Sequence, residues 1–372
     1  MSLPVVSLTG APAEQGAQHG QQLRERIAHN IAIYYDRFIR EVGLSRAEVH
    51  DMAGRYARAV ALQNPGYYEG MLGVAEGGGF APEDVFALNF RYELLYYKFG
   101  KNAIALAAQQ RGAAGDSVDG CTAFAVLPDA TRSGHLLMGQ NWDWIPEVQG
   151  AVLRTTDLDG FSTLAYTEAG IVGAKIGFNA AGVGLCINGM TTVEDDWSRM
   201  NKPFHVRCYE ILRARTFEDA LKVVTDEPRN IAGNFLIAQA PNRVMDVEAA
   251  PDKVNLLPCT EGCLTHANHF VDPEGSGIEE APNDRRVYSW RRQERLRELL
   301  MAAAPLSVEA VQAALRDTQD DPFGICRHRN PAEPPEMHYT TVTSVVMDLD
   351  ARTLHLTDGP PDESPYQTVT LG

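Results

Sequence analysis

Apolar residues in the first hundred positions recur every three to four residues. From Glu14 to Arg40, Leu23, Ile27, Ile31, Tyr34, Tyr35 and Phe38 fall on one face, which predicts a helix. Ser45 followed by Glu48 is a capping-box pattern and opens a second helix to about Leu62. A third follows Asn64 and Pro65 and stops at the glycines 77–79; a fourth begins near Pro82 and runs to about Lys98. The Ala/Gln/Gly-rich stretch from Ala103 to Gly120 reads as a loop, of the kind where chains tolerate cutting.

After Cys121 the pattern changes to strands. Cys121–Leu127 and His135–Asn141 flank a Pro- and Gly-containing turn and predict a hairpin. Further strands are expected at 151–156, 161–167, 171–179, 183–188, 234–240 and 244–249, and again at 341–348, 353–357 and 367–371. Helices are expected at 203–214, 216–225, 284–300 and 307–316. Antiparallel hairpins with helices gathered in separate blocks predict an α+β layered fold instead of alternating βαβ units. The chain divides at the loop into a helical segment, 1–120, and a β-rich segment, 121–372.

Composition narrows the function. With 33 Lys and Arg against 49 Asp and Glu, the 372-residue chain carries a formal charge of −16. No basic face is evident, so a nucleic-acid partner is not expected, and highly anionic substrates are mildly disfavoured. No apolar run approaches the roughly 20 residues of a membrane helix. The N-terminus has no basic region followed by an apolar stretch, so neither a membrane nor a secretory route is expected, and the location is read as cytoplasmic. Six cysteines in a chain this long do not suggest a disulfide scaffold. No Gly-x-Gly-x-x-Gly or Gly-x4-Gly-Lys motif occurs, leaving nucleotide binding without support.

The candidate chemistry lies at Gly120–Cys121. Cutting the bond before Cys121 would give it an α-amino group with an ordinary pKa of about 7.7–8.0, able to act as base for its own thiol. Gly120, lacking a Cβ, can expose its carbonyl to that thiol, so an N-to-S acyl shift followed by hydrolysis would release the new terminus. A buried, inert cysteine is the competing reading.

Four clusters decide between them: 119–124 (Asp-Gly-Cys-Thr-Ala-Phe), 139–144 (Gly-Gln-Asn-Trp-Asp-Trp), 265–269 (Thr-His-Ala-Asn-His) and 324–328 (Gly-Ile-Cys-Arg-His). In this order they resemble the self-processing acyltransferases typified by acyl-CoA:6-aminopenicillanate acyltransferase, the C45 cysteine peptidases. These are N-terminal-nucleophile hydrolases related to bile-salt hydrolase and penicillin V acylase. The helical opening, with 73–79 and 88–93, is similar too, so the resemblance covers nearly the whole chain.

The resemblance implies a four-layer αββα sandwich preceded by a helical segment. It implies Cys121 as nucleophile, freed by cleavage between Gly120 and Cys121, with the excised N-terminal chain retained as a heterodimer partner. Asp143 would hold the new amine, Asn268 would donate to the oxyanion, and Arg327 would lie near the thiol and orient Asp143. Asn188 is a second candidate oxyanion donor. Trp142, Trp144 and His269 are expected as walls of the substrate pocket. Bile-salt hydrolases carry Arg where Gln140 stands, which puts a bile-salt substrate in doubt. The expected activity is hydrolysis of a small N-acyl amide through an acyl-Cys121 intermediate, without cofactor or metal; the alternative is acyl-CoA-dependent N-acyl transfer by the same nucleophile.

Two other classes stay open from the residues alone. Cys259, Cys263, His266 and His269 crowd within eleven positions, with His328 and His338 downstream, and could suit a zinc hydrolase. Their spacing matches no standard finger, and a strand through 261–266 would point alternate residues to opposite faces. A non-catalytic binding protein that keeps the fold is the third.

Overall fold

A computed structural model describes residues 2–109, 120–283, 285–334 and 338–372. Two sheets carry the fold. The first has eight strands: β1 (Val5–Thr9), β4 (Gly150–Thr156), β5 (Ser162–Glu168), β6 (Ile176–Asn179), β7 (Val183–Gly189), β8 (Gly233–Gln239), β9 (Arg243–Ala249) and β10 (Val254–Pro258), in that spatial order. The second has six, in the order β11 (Cys263–His266), β2 (Cys121–Val126), β3 (Leu137–Trp144), β12 (Thr340–Asp348), β13 (Thr353–Leu356) and β14 (Gln367–Thr370). All pairings are antiparallel except β1 with β4.

The sheets pack face to face, β2 against β7 and β8 and β12 against β6. Alternation along β2 assigns its two faces. Ala123 and Ala125 enter the core between the sheets. Phe124 and Val126 instead join Leu296 and Leu300 of α10 (Arg286–Ala302) and Val311 and Leu315 of α11 (Val308–Leu315). The approach between sheets is close: a Cβ on Gly184 would stand 2.5 Å from the Met138 sulfur. The opposite outer layer holds α7 (Phe204–Ile211) and α8 (Phe217–Thr225) with the N-terminal helices. This is the αββα sandwich that the resemblance implies.

The N-terminal helices are α1 (Pro12–Gln22), α2 (Arg24–Arg40), α3 (Arg46–Gln63), α4 (Pro65–Gly78), α5 (Pro82–Asn89) and α6 (Arg91–Gln109). Ser45 caps α3 with the expected reciprocal bonds to Glu48. The glycine-rich end of α4 has a packing cause: Cβ atoms on Gly73 and Gly77 would meet backbone oxygens of α1 at 2.2 and 2.0 Å. One apolar core runs from these helices through both sheets.

Several boundaries differ from the sequence pattern. The helix expected over 14–40 breaks at buried Leu23 (φ −114°, ψ 20°), where α1 ends against α4 and α2 turns away. The helix expected from Pro82 breaks at Phe90 and resumes as α6, which continues to Gln109. The alanines and Gln of 103–109 are strong helix formers, and that propensity prevails over the loop reading. The rest of the expected loop, 110–119, and Asp284, the expected start of α10, lie outside the described residues. The strand expected from Ile171 begins only at Ile176, because Gly173 and Ala174 take positive φ (73° and 69°). Strands β1 and β10 and the short α9 (Pro273–Ser276) carry too few periodic residues to stand out. Among the described residues no helix is long and apolar enough to cross a membrane.

Candidate active site

Cys121 opens β2, opposite Trp142 on β3, and is buried. The peptide bond before it is held on both sides. The Gly120 carbonyl accepts from the Asp143 backbone N–H at 2.9 Å. The N–H groups of Gly120 and Cys121 both donate to Asn268 Oδ1, at 3.1 and 2.7 Å. Arg292 Nη2 donates to the same oxygen at 2.9 Å, and Asn268 Nδ2 donates to the Gly189 carbonyl at 2.9 Å. Asn268 therefore ties β7 of one sheet to the start of β2 in the other. Its amide, expected toward an oxyanion, is directed at Gly189; the donor on the Gly120 oxygen is Asp143.

Thr341 links two further expected residues. Its hydroxyl donates to Asp143 Oδ1 at 2.6 Å and accepts from the Arg327 backbone N–H at 2.9 Å. The Arg327 guanidinium lies between Phe323 and Tyr339, and Nη1 would stand 3.5 Å from a Cβ on Gly120. That Cβ would also meet Asp143 Cβ at 3.0 Å and Asp143 O at 3.3 Å. Gly120, Cys121, Asp143, Asn268 and Arg327, drawn from four separate clusters of sequence, thus converge on one peptide bond.

Burial pushes the Cys121 thiol up to about 12, with Asp143 adding to the rise; the Asp143 backbone N–H, Arg292 and Lys175 pull the other way. At neutral pH the thiol is therefore protonated. The cations bearing on it are Arg292 and Lys175, which sequence reasoning missed, whereas Arg327 sits at Gly120. Arg292 falls within the helix expected over 284–300 and Lys175 within the strand expected over 171–179, and neither stands out there. The turn at Gly173–Ala174 carries Lys175 to full burial, 3.4 Å from the Trp142 ring centroid and paired with Glu168. Burial lowers its pKa to about 7. Burial would raise Glu168, but Arg91 and Lys175 hold it down at about 2.

Beside the thiol is a cavity of about 20 Å³, room for one water. Tyr92, Tyr96, Trp142, Trp144, Phe204 and Cys121 line it, with Arg91 and His205. Of the three expected wall residues, Trp142 and Trp144 border this one-water cavity. His269 does not line this cavity: one position after Asn268, it bonds Ser289 at 2.7 Å and stacks on Trp290 at 3.9 Å. Asn188 accepts from Asn234 Nδ2 at 3.0 Å, and its own Nδ2 is a buried donor without a partner among the described residues. Gln140 is spent structurally, bonding the Ile187 N–H and carbonyl at 2.7 and 3.0 Å across the sheets.

The cysteine–histidine constellation does not assemble as a metal site. His266 is bound to Glu248 at 2.8 Å and to the Ala267 carbonyl, and His269 to Ser289. Cys263 packs among apolar residues of the α10–α11 layer, and the set offers no converging ligand atoms among the described residues. None of the six cysteines forms a disulfide.

A buried cysteine thus heads a sandwich strand, and the peptide before it is bonded by Asp143 and Asn268. Residues 130–363 match the family model of acyl-coenzyme A:6-aminopenicillanic acid acyl-transferase, and the chain belongs to that family. The match takes in Asp143, Asn188, Asn268 and Arg327. The chain is also similar to acyl-coenzyme A:6-aminopenicillanic-acid-acyltransferase 40 kDa form of Emericella nidulans, 25% identical over 329 residues, 87% of this chain and 84% of that one. Among solved structures, a Caenorhabditis elegans N-acylethanolamine-hydrolyzing acid amidase ortholog aligns at TM-score 0.45 and 13% identity, over 62% of this chain and 93% of that one. Penicillin V acylase from Agrobacterium tumefaciens aligns at 0.42 and 12%, over 64% and 83%. At such scores the structural likeness is remote, and the assignment rests on the family match.

Proposed function

We propose that the chain cuts itself between Gly120 and Cys121 and then acts as an N-terminal-nucleophile amidohydrolase on a small N-acyl amide. The observation that carries this is the grip on the scissile peptide: carbonyl on the Asp143 N–H, amides on Asn268 Oδ1. The Cys121 sulfur attacks the Gly120 carbonyl carbon while the Asp143 N–H bears the developing oxyanion. The C–N bond breaks, the amine takes a proton, and a thioester links Gly120 to the sulfur. Water hydrolyses it, leaving Gly120 as a carboxylate. The products are a 1–120 chain and a 121–372 chain, which stay together because one core spans both.

The freed amine then serves as base for the thiol, held by Asp143, with Arg327 fixing that end of the site through Thr341. Cys121 takes the acyl group, the amine of the substrate leaves, and water releases the acid. The unpaired Asn188 amide and the Asn268 amide, once the cut loosens its bonds, are the oxyanion donors. The second reading, transfer of the acyl group to an amine instead of water, is favoured by the family's own name. Incubation with N-acyl amides and with acyl-CoA plus an amine, followed by mass analysis of the Cys121 peptide, tests both. An acyl adduct on Cys121 is expected, with the released product telling water from amine. Turnover without any adduct and unaffected by thiol alkylation refutes the nucleophile.

A further inference from the structure

Three ligand-type side chains meet just beneath the surface: Cys326 and His328, on either side of Arg327, and Asp362 from the segment before β14. One ligand atom from each lies within 4.8 Å of the others. Cys326 Sγ stands 3.0 Å from Asp362 Oδ1, and His328 Nε2 lies 3.3 Å from Asp362 Oδ1 and 3.2 Å from Oδ2. Glu363 Oε1 is 3.9 Å from the same nitrogen, within reach of a fourth position. With metal bonds of about 2.0–2.3 Å, tetrahedral ligand atoms sit roughly 3.3–3.7 Å apart, so the set is nearly at coordinating separation.

A second, independent feature points the same way. His328 Nδ1 is bonded to Asp321 at 2.7 Å. That carboxylate fixes the ring so that Nε2 faces Cys326 and Asp362, the support that metal-binding histidines characteristically carry. Cys326 is buried while His328 and Asp362 are partly exposed, which gives an ion a route in from solvent.

We propose that Cys326, His328 and Asp362 bind one zinc-type divalent transition ion, with Asp321 as the residue positioning His328. A thiolate, an imidazole and a carboxylate suit zinc and not magnesium or calcium. Binding exchanges the Cys326 thiol proton for a metal–sulfur bond and releases that proton to solvent. The ion would fasten the 360–363 segment to the 321–328 loop and fix the backbone on both sides of Arg327. This site is separate from the Cys259–His269 constellation and does not depend on the proposed activity.

The test is zinc content after equilibration with Zn²⁺ and removal of excess, together with Co²⁺ substitution read by its thiolate charge-transfer absorption. One ion per chain and a thiolate–cobalt band are expected, with zinc raising the unfolding midpoint. His328→Gln should lose both signals, and Asp321→Asn should weaken binding by about 10–100-fold. Cys326→Ser should lose the band; should that buried change prevent folding, His328→Gln at the surface gives the same reading. Absence of stoichiometric metal in the wild type, or metal retained equally by His328→Gln, overturns the site.

Discussion

Thr341→Val probes how the two ends of the site are joined. The Thr341 hydroxyl is buried, donates to Asp143 Oδ1 at 2.6 Å and accepts from the Arg327 N–H at 2.9 Å. Valine keeps the shape and removes both bonds. A hydrogen bond to a charged group contributes about 1.5–3 kcal/mol. At 1.36 kcal/mol per factor of ten, losing that hold on Asp143 slows self-cleavage by about 10- to 150-fold. The orphaned Arg327 N–H adds a stability loss of about 1–3 kcal/mol, since a buried donor is left without an acceptor. The assay is the time course of conversion to two chains, followed by denaturing mass spectrometry, with chemical unfolding in parallel. Thr341→Ser, which keeps the hydroxyl, should recover most of the rate. Wild-type cleavage by Thr341→Val, or Thr341→Ser as slow as Thr341→Val, refutes the linkage.

Three other changes follow from particular contacts. Gly120→Ala forces a Cβ to 3.0 Å from Asp143 Cβ and 3.3 Å from its carbonyl, so the scissile carbonyl shifts by a few tenths of an ångström and cleavage slows by about several-fold in the same time course. Glu168→Gln leaves buried Arg91 and Lys175 without their shared carboxylate and should cost about 3–5 kcal/mol in denaturant unfolding; Lys175→Met, which leaves the Arg91–Glu168 pair intact, should cost less. His266 gives a pH signature. Burial would lower its pKa, but Asp246 and Glu248 raise it from 6.5 to about 9. The folded value lies above the unfolded one, so the stabilisation is complete below pH 6.5 and is lost as pH rises through 9, at most about 3 kcal/mol. Relative to His266→Asn, the wild type should lose stability over that window; parallel curves would show the histidine to be neutral in the fold.

Local signals were the readable part of the chain. The Ser45–Glu48 cap, the turn between β2 and β3 and the strand opening at Cys121 each depend on neighbours in sequence, and each stands where expected. The strand that brings Asp143 opposite the Gly120 carbonyl is expected only to Asn141 and runs on to Trp144. What escaped depends on distant partners. Strand β1 is five residues long and exists because β4 offers it an edge. Arg292 looks like any surface cation in 291–297 until the packing of α10 aims it at Asn268. Lys175 is carried to Trp142 by a turn with positive φ at Ala174, a conformation that sequence pattern does not announce. The zinc reading of 259–269 failed for the converse reason: closeness in sequence did not become convergence, because His266 and His269 found Glu248 and Ser289 instead.

The central claim is that Cys121 cuts the chain at its own amide bond. The most direct test is the denatured intact mass of the wild type beside Cys121→Ala and Cys121→Ser. The account predicts two wild-type fragments divided between Gly120 and Cys121, no cleavage in Cys121→Ala, and slowed cleavage in Cys121→Ser, because a hydroxyl is the poorer nucleophile near neutral pH. A wild-type chain that stays whole, or a Cys121→Ala chain that is cut at the same bond, contradicts it.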